Sequence, residues 1–314
     1  MSRGRARDTE FILKLAKGLP DGNPRTLWRA YGVAFKILEL MLGKVWVDRH
    51  IMYATSPTDF FKNKNQNDDR LNLSLHRITS LGEMLFNLRG VPGFKNVLNK
   101  LRDDDPESAY AELETGKLLF WAGVPFRFHE PEGCLGGDFD LEIAVLDHVA
   151  CADTKCKIET TEPSEATLRQ SLRKAQKQLP QDRPGIVFVR LPQPWLLKEG
   201  EPMQAIGERS GPVFELIRSA TERFFRGTER VVAVYYYFAI CLPGTDRSHM
   251  LNNIVLDSYL NPSHRFDTNA PWSKLLDDYS PHERGWIDIL LLMDEGRGQW
   301  VTAEGKPLYI CSVD

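Results

Sequence analysis

The chain has 314 residues, 26% of them charged and 42% hydrophobic, with a formal net charge of −3. That length suits one large domain or two modest ones, and it buries a core without a disulfide or metal staple. Ordinary Gly, Pro and aromatic contents exclude collagen-like, mucin-like and wholly disordered chains, and the longest apolar run, residues 231–242, is too short for a membrane helix and reads as a buried strand.

The first hundred residues read as helical. Asn23-Pro24 places a capping side chain before a helix-starting proline, and Leu27, Ala30, Tyr31, Ala34, Phe35, Leu38 and Leu42 then recur at helical spacing. Residues 62–72 read as a polar, Asn-rich loop. A second helix is expected over 74–89, stopped by Gly90-Val-Pro-Gly93, and a third over 94–101. This third of the chain holds 17 Lys+Arg against 9 Asp+Glu, whereas the remainder is acidic by 11 charges. A basic surface of that kind suits phosphate groups, and it equally suits a set of solvated helix faces.

Asp105-Pro106-Glu107 is a strong helix start, with acids at the positive end of the dipole, and the helix is expected to stop at Gly123. A short strand over 124–129 leads to the Gly-rich turn Glu132-Gly-Cys-Leu-Gly-Gly137, a strand from Asp138, a tight turn at Asp147-His148, and a returning strand over 149–157. An amphipathic helix over 165–179 follows, carrying Leu168, Leu172, Ala175 and Leu179 on one side. Then come a buried strand over 185–191, a helix over 212–226 and a buried strand over 231–242. The order helix, three strands, helix, strand, helix, strand predicts an α/β fold with a mixed central β-sheet flanked by helices. We divide the chain into a helical, net basic unit at 1–105, an α/β core at 106–245 and a C-terminal region of unassigned role at 246–314.

No Met-to-Asp8 feature resembles a secretory signal, which points to a cytoplasmic protein. The five cysteines form no CxxC pair and read as reduced thiols, and the histidines show no zinc spacing. No phosphate-binding GxxxxGK[ST] or GxSxG nucleophile motif occurs. Trp195 and the run Tyr235-Tyr236-Tyr237 could stack bases, but aromatic strands are more often core.

The hairpin carries the unusual composition. With a turn at 147–148, Asp140 faces Lys155 and Glu142 faces Asp153. Alternation puts Asp138, Asp140, Glu142, Asp153 and Lys155 on one face, with Phe139, Leu141, Ile143 and Thr154 on the other. Clustered carboxylates repel unless a cation offsets them, and a hard divalent ion is their natural partner. On the preceding helix, Glu112 shares a face with Ala109, Gly116 and Leu119, small or apolar groups suited to close packing on a sheet. Glu114, beside Tyr110, Lys117 and Trp121, reads as a surface residue. Each acid alone fits a solvated sheet face.

Together these residues resemble the PD-(D/E)xK nuclease superfamily, whose signature is a Glu on a helix, an Asp on one hairpin strand and (D/E)-x-K on its partner. Here the helix reads Ala-Glu112-Leu-Glu-Thr-Gly and the hairpin Gly-Gly-Asp138-Phe-Asp140-Leu-Glu, then Cys-Ala-Asp153-Thr154-Lys155. The step from Asp140 to Asp153 favours Asp140 over Asp138 as the ligand. No Pro precedes either Asp, and Asp153 stands where Glu is commoner. The resemblance, over about residues 106–242, implies a restriction-endonuclease-like core and Mg²⁺-dependent phosphodiester hydrolysis, with Mn²⁺ as a substitute. Asp140, Asp153, the Thr154 carbonyl and Glu112 would hold the metal, and Lys155 would act on the attacking water or the developing charge. Asp138, Glu142, Gln170, Lys174 and Gln178 are second-tier candidates, as is Lys157. The implied substrate is nucleic acid, DNA ahead of RNA, cut by a homodimer or with partner subunits. A non-catalytic nucleic-acid-binding or assembly module is the alternative.

Overall fold

The computed structural model describes residues 3–17, 19, 26–52, 60–61, 68–102, 105–130, 133–134, 136–158, 160–196, 209–243, 250–277 and 285–294. Helices α1 (Arg3–Lys17), α2 (Thr26–Leu42), α3 (Lys44–Val47), α4 (Asp68–Leu88), α5 (Phe94–Arg102) and α6 (Pro106–Trp121) come first. Strands β1 (Phe126–Phe128), β2 (Leu141–Val145) and β3 (His148–Cys156) follow. Then come α7 (Glu165–Gln178), β4 (Gly185–Leu191), α8 (Pro212–Phe225), β5 (Val231–Pro243), β6 (Met250–Leu260) and α9 (Ile289–Asp294). The protein is α/β: N-terminal helices, then a six-stranded mixed sheet with interspersed helices.

Local chemistry sets the element starts. Asp105 accepts a hydrogen bond from the Ser108 amide ahead of Pro106, and Ser164 accepts one from the Thr167 amide at the start of α7. The strands lie side by side in chain order. β1, β2 and β3 are antiparallel, β3, β4 and β5 parallel, and β6 returns antiparallel to β5. The two parallel steps require crossovers, which α7 and α8 supply. Both helices pack on one sheet face, against Cys151, Val187, Val189, Val234 and Tyr236. The other face meets α4, α5 and α6 through Leu141, Ile143, Ala150, Ala152, Phe188, Tyr235 and Tyr237. β4 is buried along its whole length with helices on both faces, and it is apolar except for Arg190, whose charge is paired with Glu114 of α6.

Several expectations are corrected. The hairpin turns at Leu146-Asp147, one residue earlier than expected, and pairs Leu141 with Ala152, Glu142 with Cys151 and Val145 with His148. Asp140 therefore does not face Lys155, nor Glu142 Asp153. The observed register sets large Leu141 and Ile143 beside small Ala152 and Ala150, all fully buried. Because the partner shifts by two residues, the pleat keeps its parity. Phe139 departs from the expected alternation, packing with Cys151 and α7, because β2 begins only at Leu141. Helix α1 and strand β6 had no clear sequence signal. In β6, Asn252, Asn253 and Asp257 interrupt the apolar run, and the ladder to β5 supplies what local propensity does not. Of the expected loop at 62–72, residues 68–72 belong to α4 and the rest lie outside the described residues.

Trp195 and Tyr235–Tyr237 are core. The Tyr236 hydroxyl meets Thr221 Oγ1 at 2.8 Å, and that of Tyr237 donates to the Ala111 carbonyl at 2.9 Å. Cys151 and Cys156 are free thiols. Among the described residues, no helix is long and apolar enough to cross a membrane.

Candidate active site

The site assembles where α5 and α6 meet the open end of the β2–β3 hairpin. The Gly90–Gly93 turn fixes α5 against the sheet: the Phe128 amide donates to the Pro92 carbonyl at 2.9 Å. Gly93 lies in the left-handed region at φ 77°, and a Cβ there would fall 1.9 Å from the Phe128 carbonyl oxygen. Gly116 of α6 similarly admits the Phe128 and Phe126 rings of β1. With both helices held close, the last turn of α5 delivers Lys100 to the acids.

Lys100 Nζ lies 2.8 Å from Glu112 Oε1 and 3.0 Å from Asp140 Oδ1. The other Asp140 oxygen accepts the Thr154 amide at 2.7 Å, which ties β2 to β3 just beyond the ladder. Asp153 has no solvent exposure. Its Oδ2 pairs with Lys155 Nζ at 2.7 Å, and its Oδ1 has no hydrogen-bond partner among the described residues. Lys155 also donates to the Gln178 side-chain carbonyl at the end of α7, and Gln178 Nε2 donates to the Asp138 carbonyl at 3.3 Å. The Thr154 hydroxyl points to the α6 side and donates to Thr115 at 3.2 Å.

Charge and burial set the proton affinities. Burial and the neighbouring Asp140 carboxylate push Glu112 well above the ordinary glutamate range, against the pull of Lys100. The same two causes raise Asp153 to about 7, opposed by Lys155. Burial works against the Lys100 ammonium, but Asp140 and Glu112 outweigh it and hold the amine above the usual lysine range. The centre thus sets two ion-paired groups side by side, Lys100 with Glu112 and Asp140, and Lys155 with Asp153, with the Asp140 charge acting on both of the other acids.

Of the residues expected to act, Glu112, Asp140, Asp153, Thr154, Lys155 and Gln178 are joined by these contacts. Asp138 stands beside them but spends its carboxylate on the Gly133 amide, at 2.7 Å, closing the glycine turn. Glu142 is not with the group. Arg127 and Arg183 hold its carboxylate, and despite the opposing cost of burial they keep it below the ordinary range. Gln170 and Lys174 lie further along α7, where with Arg169, Arg173 and Lys177 they line a surface groove of about 360 Å³. Lys157 is half-buried, donates to the Thr167 carbonyl at 3.2 Å, and is lowered by burial and by Lys174.

Two participants were not legible in sequence. Lys100 reaches Glu112 across a helix–helix turn, so no spacing within one element announces it. Glu114, read as a surface residue, is buried and ion-paired at 2.5 Å with Arg190 of β4, whose guanidinium also lies over the Phe60 and Tyr110 rings.

The donor chemistry fits a hard divalent cation: carboxylate oxygens from Glu112, Asp140 and Asp153, one of them buried and without a hydrogen-bond partner. Among the described residues, however, no three His, Cys, Asp or Glu side chains already converge as ligands. The space between Glu112 and Asp140 is taken by the Lys100 ammonium. Comparison with family models, curated proteins and solved structures finds no match to this chain.

Proposed function

We propose that the protein is a metal-dependent nuclease with a restriction-endonuclease-like core of the PD-(D/E)xK type, most simply a DNA endonuclease. The observation that carries this reading is the group Glu112, Asp140, Asp153 and Lys155, drawn from one helix and two strands, with a buried Asp153 oxygen awaiting a partner. Carboxyl groups packed this closely, with Glu112 and Asp153 raised in proton affinity by burial and by Asp140, serve no packing purpose. They suit a site that acquires positive charge when it works.

In this reading Glu112, Asp140, Asp153 and the Thr154 carbonyl hold Mg²⁺ or Mn²⁺. The bound ion supplies Lewis-acid polarisation of the phosphate and a more acidic water. Lys155, steadied by Gln178 and Asp153, keeps an ammonium beside the reacting centre, where it orients the nucleophile or offsets the charge that develops on the phosphate. Thr154 holds Asp140 in line through its amide. The basic face of α7, with Gln170, Lys174 and their neighbours, starts one turn from Gln178 and offers charge to a phosphodiester backbone. One centre per chain is matched to duplex cleavage by a homodimer or by addition of partner subunits, in the cytoplasm.

The test is a cleavage panel over single-stranded, duplex and branched DNA and RNA with Mg²⁺ or Mn²⁺. Cleavage lost in both Asp153→Ala and Lys155→Ala supports the proposal, and full activity in either refutes it. The Lys100 ammonium lodged between two would-be ligands favours a second reading, a nucleic-acid-binding module without catalysis. That reading predicts salt-sensitive binding with no cut under any metal.

A further inference from the structure

Lys100 is the group that neither the motif nor the hairpin accounts for. Its ammonium makes two short contacts, to Glu112 and Asp140, and both acceptors are nearly withdrawn from water, whereas its own side chain is 30% exposed. It sits in the last turn of α5, whose end is pinned by Arg102 donating to the Met41 carbonyl at 2.6 Å. The backbone is therefore held while a four-carbon stem carries the charge, an arrangement that lets the head group leave by rotamer change alone. Beside this pair, the wholly buried Asp153 keeps one oxygen without a hydrogen bond among the described residues.

We propose that Lys100 is a built-in counter-ion that stands in for the divalent cation: in the metal-free protein its ammonium holds the Glu112–Asp140 pair, and metal binding requires it to leave. The inference rests on the nuclease reading and deepens it by naming the residue that sets metal affinity. Two cations cannot share the contact distance between the same two carboxylate oxygens, so pairing with Lys100 and ligation of the metal compete. The device has a structural use as well. Without it, folding in the absence of metal leaves two buried carboxyl groups with no counter-charge. With it, the acids stay assembled at a cost in metal affinity, which makes Lys100 a positioning residue that tunes the site to the metal concentration.

The test compares Mn²⁺ binding by calorimetry in the full-length wild type and Lys100→Met, which keeps the stem and removes the charge. The proposal expects binding about tenfold tighter in Lys100→Met, the scale of one partly buried ion pair, and a metal-induced rise in Tm larger than that of the wild type. Equal or weaker binding in the variant overturns it and leaves the nuclease reading standing. Binding by neither protein overturns both. A second measurement needs no variant: the rate at which an amine-acylating reagent modifies Lys100 in the wild type, read by mass spectrometry. Saturating Mn²⁺ should raise that rate severalfold as the amine is released, and an unchanged rate contradicts the proposal.

Discussion

Asp153 concentrates the conflict between stability and function in one side chain. It is wholly buried, close to Asp140, and paired through a single oxygen, so its ionised form is disfavoured in the metal-free fold. Its pKa is raised from the unfolded value of about 4 to about 7. The folded state therefore binds the proton more tightly, and the stability that this provides is fully present below about pH 4 and lost as the pH rises through 7. Asp153→Asn keeps the shape without the charge. In chelator, its stability relative to wild type should be constant near pH 4 and then improve by about 1–3 kcal/mol towards pH 8, while metal-dependent cleavage disappears. Urea denaturation across that range checks the first part, and a flat difference would remove Asp153 as a strained acid. Leu146 presents a simpler case. It occupies the hairpin turn at φ 52° with most of its side chain in water. Leu146→Gly should raise stability by about 0.5–1 kcal/mol, because relief of the left-handed strain exceeds the added chain entropy of Gly. A higher urea midpoint is the expected observation.

At the scale of elements, the hairpin and α6 show what a sequence reveals and what it withholds. That Asp140 lies on the same side of the hairpin as Asp153 and Lys155 was legible because period-two alternation depends only on parity, and the turn error moved the partners by two residues; that Arg127 and Arg183 draw Glu142 away was not. The face of α6 was not legible in the same way. Ala109, Ala111, Leu113, Thr115, Gly116 and Leu118 leave the helix buried on every side, so no exposed stripe existed to place Glu114 on. Its partner Arg190 lies on β4, a contact that only the tertiary structure creates. Removing the acid strands a fully buried guanidinium between α6 and the sheet. Glu114→Ala should therefore cost about 3–5 kcal/mol, and the double variant Glu114→Leu/Arg190→Met should recover much of that loss. Guanidinium denaturation measures both, and a loss under about 1 kcal/mol in the single variant would mean that the pair is not load-sharing with the core.

Across the whole molecule, one apolar cluster runs from α2, α4, α5 and α6 through the sheet to Trp272 and Trp286. The later residues are fastened to α4, with Trp286 Nε1 donating to Glu83 at 2.6 Å and Asn87 exchanging two hydrogen bonds with Ile287. The C-terminal stretch was unreadable in sequence because its side chains fill gaps left by other elements and follow no period of their own. The basic excess of the N-terminal third was legible as a count but not as a surface. Arg77 is buried over Phe60, and Lys100 turns inward to the acids. A row of basic side chains, Arg169, Arg173, Lys174 and Lys177, lies instead on α7. Lys174→Ala/Lys177→Ala should weaken nucleic-acid binding uniformly across sequences and flatten its salt dependence by about 0.7–0.9 log units per phosphate contact removed. Binding measured over a salt series decides this, and an unaltered slope would place the phosphates elsewhere.

The proposed function stands or falls on whether α6, β2 and β3 bring three carboxylates to one divalent cation beside an amine. Crystals soaked in Mn²⁺ and measured at the manganese absorption edge address it without recourse to activity. The expected result is an anomalous peak touching Glu112, Asp140 and Asp153, with Lys100 Nζ withdrawn from the first two. A saturating soak that leaves the acids without a peak, and Lys100 still lodged between them, would contradict it.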